Sequence, residues 1–151
     1  MAKFLVFDDD TTENISMLEQ CLAKRHQTTF VASRDAVIEA LEREKFDAVI
    51  ANIYQETENV LGLLHRAKTA AWLQKVPFVC LRGPDAVSIA ELDQTVGMAM
   101  MMLGARSYVA SDDYDSICDK LEKALRAPVP YKKPTKGRGK IRQSTGRSGS
   151  R

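Results

Sequence analysis

Three polar side chains stand where two short apolar runs stop. Phe4-Leu5-Val6-Phe7 leads into Asp8 and Asp9, and Ala48-Val49-Ile50-Ala51 leads into Asn52. Carboxylates gathered in this way hold a divalent cation or act as nucleophile and base, because ionised oxygens are hard ligands and electron-pair donors. Asn52 alters that chemistry. A carboxamide carries no charge, cannot attack as a carboxylate and is a weak cation ligand. The group is built for acid chemistry and lacks the member that would perform it. No Gly-rich phosphate loop or nucleophile motif accompanies it. His26 and His65 fall in different elements with no shared metal spacing, which suits surface or helix-end roles. The sequence therefore assigns no catalytic residue, no metal and no cofactor, and the chain reads as a non-enzyme.

For these residues to meet, a scaffold must bring them together. Each run is short, rich in β-branched or aromatic residues and followed by a helical pattern, as in a strand buried on both faces of a parallel sheet. The carboxyl ends of such strands line one crevice. Strands are expected at about 3–8, 28–32, 47–53, 78–81 and 107–110. Helices are expected at about 11–25, after a cap at Ser33, and at about 58–73, 85–103 and 112–126. Five alternations of this length predict an α/β fold, a parallel sheet with helices on both faces.

Composition sets the limits. Of 151 residues 44% are hydrophobic, enough for one core, and no apolar stretch approaches the roughly 20 residues of a membrane span. Met1-Ala2-Lys3 leads straight into the first strand without a signal-peptide pattern, and Cys21, Cys80 and Cys118 are scattered. Free thiols in a reducing cytoplasm are expected. The net charge of +2 hides an asymmetry: eight of 22 basic residues lie from Lys132 onward with no acid among them, leaving 14 against 20 acidic residues before it, a net of −6. Residues 1–127 are expected to form the domain. Residues 128–151 are expected to be a disordered basic tail, since their Lys, Arg, Gly, Ser and Thr cannot offset ordering entropy. Lys132, Lys133, Lys136, Arg138, Lys140 and Arg142 would bind a polyanion, nucleic acid or an acidic protein, by counterion release. Tyr131 is the sole aromatic nearby, which gives base stacking little support.

The fourth helix carries an unusual surface. Read as one continuous helix, it places Ile89, Leu92, Val96, Ala99 and Leu103 inward and Met98, Met101 and Met102 on the opposite side, near Glu91, Gln94 and Thr95. Flexible, polarizable methionines on an outward face make an adaptable contact surface. The alternative is that Gly97 breaks the helix and turns the methionines inward.

The frame resembles the receiver domain of two-component response regulators across about residues 3–127. The resemblance rests on the strand ending in Asp8-Asp9, on Asp47-Ala-Val-Ile-Ala-Asn52-Ile53, on Val76-Pro77-Phe78-Val79-Cys80-Leu81 and on Gly104-Ala105-Arg106-Ser107-Tyr108-Val109. It implies a five-stranded doubly wound, flavodoxin-like sheet of order 2-1-3-4-5. It also implies a phosphorylation pocket in which Asp8 and Asp9 match the family's acidic pair. Asn52 stands in place of the phosphoacceptor aspartate, Arg82 in place of a Ser or Thr, and Ser111, followed by Asp112, in place of a Lys followed by Pro. The pocket is thus that of a degenerate pseudo-receiver. Two carboxylates and a permanent cation predict that the Arg82 guanidinium takes the metal's place, paired with Asp8 or Asp9. Tyr108 matches the family's aromatic switch position, and packing at the sheet edge explains an aromatic there equally well. The expected function is a phosphorylation-independent protein-interaction adaptor in bacterial signalling or localisation. Its contacts would use the fourth helix, fifth strand and fifth helix, with Met98, Met101, Met102 and Tyr108 on that face, and a homodimer as one form. The alternative is a nucleic-acid-associated regulator working through the tail, although no helix-turn-helix follows.

Overall fold

The computed structural model describes residues 2–8, 13–53, 57–84 and 86–126, with the backbone alone at 13–16, 74, 87 and 88. Asp9 and the whole basic tail, including Lys132, Lys133, Lys136, Arg138, Lys140 and Arg142, lie outside what is described. The strands are β1 (Lys3–Phe7), β2 (Gln27–Val31), β3 (Ala48–Ile53), β4 (Phe78–Arg82) and β5 (Ser107–Ala110). The helices are α1 (Glu13–Ala23), α2 (Arg34–Arg43), α3 (Glu58–Lys68), α4 (Val87–Ala90), α5 (Asp93–Met102) and α6 (Ile117–Arg126), with a 3-10 turn at Ala71–Lys75. All strand pairs are parallel and the order is β2-β1-β3-β4-β5, the doubly wound arrangement expected.

The three inner strands read as unbroken apolar runs because each is covered on both faces. Successive side chains alternate between faces. Leu5, Phe7, Val49, Ala51, Ile53, Phe78 and Cys80 pack on one side with residues of α2 to α5, among them Val37, Leu63, Leu64, Ile89 and Met100. Phe4, Val6, Ala48, Ile50, Val79, Leu81 and Val109 pack on the other with Leu18 and Leu22 of α1 and Ile117, Cys118 and Leu121 of α6. This parity decides where the polar residues at the strand ends point.

Helix boundaries differ from the sequence expectation in three places. The third helix stops at Lys68, short of the expected 73, and gives way to the 3-10 turn. The fourth is divided at Glu91-Leu92 into α4 and α5. The last begins five residues late, because residues 111–116 form a turn in which the Ser116 amide donates to Asp113 Oδ1 at 2.8 Å. The cap at Ser33 is as read. Ser33 Oγ accepts the Ala36 amide at 3.1 Å. Gly104, at φ 105°, ends α5 while the Ala105 amide donates back to the Met100 carbonyl at 3.0 Å.

The three thiols are free, and burial pushes the Cys80 thiol up to about 12. His26 sits deeper than a surface role implies. Its Nδ1 accepts the Ala2 amide at 3.0 Å, which leaves the proton on Nε2 to donate to Glu122 Oε2 at 2.7 Å. No helix among the described residues is long and apolar enough to cross a membrane.

Candidate functional site

At the carboxyl end of the sheet β1 and β3 deliver Asp8 and Asn52 side by side. Asp8 is buried, and Asn52 Nδ2 donates to Asp8 Oδ2 at 2.8 Å. An ionised carboxylate only accepts, so the amide must offer its nitrogen to it. Both residues share strand parity with Val6 and Ile50 and therefore face the α1–α6 side.

Arg82 is not part of that pair. In the β3–β4 register Asn52 lies opposite Leu81, and Arg82 is one residue further on, opposite Ile53. A one-residue offset puts its side chain on the other face of the sheet, with Cys80. There the guanidinium is bidentate to Asp93 at the start of α5, Nε to Oδ1 at 3.1 Å and Nη2 to Oδ2 at 2.7 Å. Its Nη1 donates to Asp112 Oδ1 at 2.8 Å, to the Ser111 carbonyl at 3.2 Å and to the Gly83 carbonyl at 3.4 Å. The expected pairing of Arg82 with Asp8 is thus corrected to Asp93 and Asp112, while Asp9 lies outside the described residues. Asp93 was missed. Its signal was available, since it is the only charged residue of α5.

Tyr108, on the same face as Cys80 and Arg82, closes the cluster. Its hydroxyl donates to Asp93 Oδ1 at 2.6 Å, and its ring lies over Gly97, where a β-carbon would come within 3.1 Å of Cδ2. Gly97 therefore does not break α5; it lets the helix approach the ring. The Arg82 hydrogen bond holds the Asp93 carboxyl below its ordinary range, and Asp93 raises Arg82 in turn. Burial, then the bond to Asp93, pushes the Tyr108 phenol well above its ordinary value. Ser111 is buried but turned into the loop: its Oγ donates to the Asp113 carbonyl at 2.6 Å and lies 2.9 Å from Ser116 Oγ. Gly83 lies between the two groups: a β-carbon on it would sit 4.0 Å from Asn52 Oδ1, and its carbonyl accepts from Arg82 Nη1.

The break at Glu91-Leu92 rotates α5 relative to a continuous helix. Gly97 and Met100 are buried, Val96, Met101 and Leu103 are half-buried, and Leu92 (52%), Met98 (61%) and Met102 (76%) are exposed, as is Ala99. Met98 and Met102 face outward as read; Met101 does so only in part, and Leu92 and Ala99 leave the expected core stripe.

The receiver resemblance implies a magnesium ion, and the described donors do not fit one. Magnesium takes oxygen ligands in octahedral geometry. Here one carboxylate faces an amide nitrogen, and the nearby cation is tied to two other carboxylates.

No family model and no curated protein matches the chain. Solved structures do. The chemotaxis response regulator CheY4 of Vibrio cholerae is 16% identical, with a TM-score of 0.61 over 82% of this chain and 98% of its own. The receiver domain of Francisella response regulator 1452 is 14% identical, with a TM-score of 0.61 over 83% and 98%. A two-component response regulator from Clostridium difficile is 16% identical, with a TM-score of 0.61 over 83% and 95%. At these identities the likeness is one of architecture: the chain has the five-stranded receiver fold.

Proposed function

We propose that the chain is a phosphorylation-independent, non-catalytic receiver-like module of a bacterial signalling or localisation pathway. It works by binding protein, through the face formed by α5, β5 and α6, with a second copy of itself as partner. The observation that carries the loss of phosphorylation is the Asn52–Asp8 hydrogen bond. Asn52 has no anionic oxygen to attack a phosphoryl donor, and its amide already occupies Asp8 Oδ2. Incubation with magnesium and acetyl phosphate, or with magnesium and beryllofluoride, is expected to leave the intact mass and the amide spectrum unchanged. A mass gain of one phosphoryl group, or a beryllofluoride adduct at residue 52, overturns the reading.

The contact surface is supported by the outward side of α5, where Leu92, Met98, Ala99 and Met102 lie with no charged residue after Asp93. Exposed apolar side chains on one helix face lose unfavourable hydration when covered. Met98→Glu combined with Met102→Glu is expected to convert a dimer into a monomer in analytical ultracentrifugation, with an unchanged circular dichroism spectrum because neither side chain is in the core. A wild-type chain that stays monomeric at all concentrations rejects self-association.

A further inference from the structure

We propose that a cleft between α2 and α3, on the opposite face of the sheet from the side chains of the Asp8–Asn52 pair and independent of the reading above, binds a small organic phosphate monoester. The cleft has a volume of about 540 Å³ and is lined by Arg34 and Asp35 of α2 and Gly62, His65 and Arg66 of α3. That size exceeds an orthophosphate and falls within the range of small-molecule sites. The remaining walls come from Ser33 and Thr69, whose hydroxyls are engaged locally, Ser33 Oγ with the Ala36 amide and Thr69 Oγ1 with the Arg66 carbonyl. Recognition therefore falls to the guanidiniums and the imidazole.

Gly62 carries the argument. It lies inside α3, where glycine is a poor helix former. A β-carbon there would meet Arg34 Nη1 at 2.1 Å and Cζ at 3.2 Å. The helix gives up a side chain and the Arg34 guanidinium lies in the space, donating no hydrogen bond among the described residues. One turn further along, Arg66 is held by the Asp35 carboxylate, which the same contact keeps below its ordinary range. Arg66 and Asp35 cancel in charge and fix one fork in place; Arg34 is the surplus cation, and the His65 imidazole lies in the same wall. Two guanidiniums from different helices suit a tetrahedral oxyanion with acceptors in several directions. Asp35 in the wall disfavours polyanions and restricts the ligand to a small one.

The test uses calorimetry and arginine Nε–H signals in the nitrogen–proton correlation spectrum, with AMP and glucose 6-phosphate as the two monoester probes. Inorganic phosphate, sulfate and adenosine serve as controls. At least one monoester is expected to bind saturably and shift the Arg34 and Arg66 signals, and whichever does so identifies the organic body. Arg34→Ala is expected to weaken it at least tenfold. Gly62→Ala separates binding from folding: it should raise the melting temperature while weakening the monoester at least tenfold, because the new β-carbon displaces Arg34. Absence of saturable binding, sulfate or inorganic phosphate binding as tightly as the ester, or full affinity in Gly62→Ala overturns the proposal.

Discussion

Asp93→Ala is expected to destabilise the domain by about 3–5 kcal/mol, the cost of leaving a buried charge without its partner. Arg82 has a side chain only 5% exposed, and Asp93 supplies both bonds of its bidentate contact. The remaining carboxylate, Asp112, is 88% exposed and cannot substitute. Tyr108 would lose its acceptor in the same step. Asp112→Ala, by contrast, should cost less than about 1 kcal/mol, as exposed ion pairs do. Urea titration of the two variants checks the asymmetry, and equal costs would contradict it. The pH dependence has a fixed sign. The Asp93 carboxyl is lowered in the folded state from 3.8, so its stabilisation is complete above that value and is lost as pH falls through the folded one. The stability difference between wild type and Asp93→Asn should therefore be flat near neutrality and shrink below about pH 4.

The same residues explain what could be read in advance and what could not. The strands were legible because Phe4–Phe7, Ala48–Ala51 and Phe78–Leu81 are continuous apolar runs with one physical use, burial on both faces. The fourth helix was not, because a helical wheel carries its phase unchanged from end to end. The interruption at Glu91-Leu92 resets that phase, so that Asp93 opens a new helix beside Arg82 and Met100 replaces Ala99 in the core. Arg82 stands out in the sequence as a cation at the end of an apolar strand, but its partner depends on strand register, and one residue of offset moves a side chain through the sheet. Sequence spacing cannot supply that offset. Gly97 shows the same limit: a glycine inside a helix reads as a breaker until the ring of Tyr108 is seen against it.

Asn52→Asp is expected to lower stability by about 1–3 kcal/mol near neutral pH, the range for a buried acceptor left without its donor. The introduced carboxylate would face Asp8 across a contact that is now a 2.8 Å hydrogen bond, and two carboxylates so close cannot both stay ionised without a counter-charge. Arg82 cannot provide it, being held on the other face by Asp93 and Asp112. One carboxyl of the pair must then have a raised folded-state value. A raised carboxyl favours the folded state below the unfolded value and loses that contribution as pH rises through the folded one, so the variant should approach wild type on acidification. Magnesium should act in the same direction near neutrality, adding about 2.7 kcal/mol at a hundredfold excess over its dissociation constant, while wild type does not respond. Denaturant titrations with and without magnesium distinguish the two chains, and a magnesium-dependent wild type would contradict the expectation. A further consequence separates the pocket from the α5 face. Even with the cation bound to the variant, the methyl signals of Met98 and Met102 should stay where they are in wild type, because α5 is fastened through Arg82, Asp93 and Tyr108 and none of these touches residue 52 among the described hydrogen bonds. Movement of those signals on magnesium addition would mean that the Arg82–Asp93 fastening yields to the pocket after all.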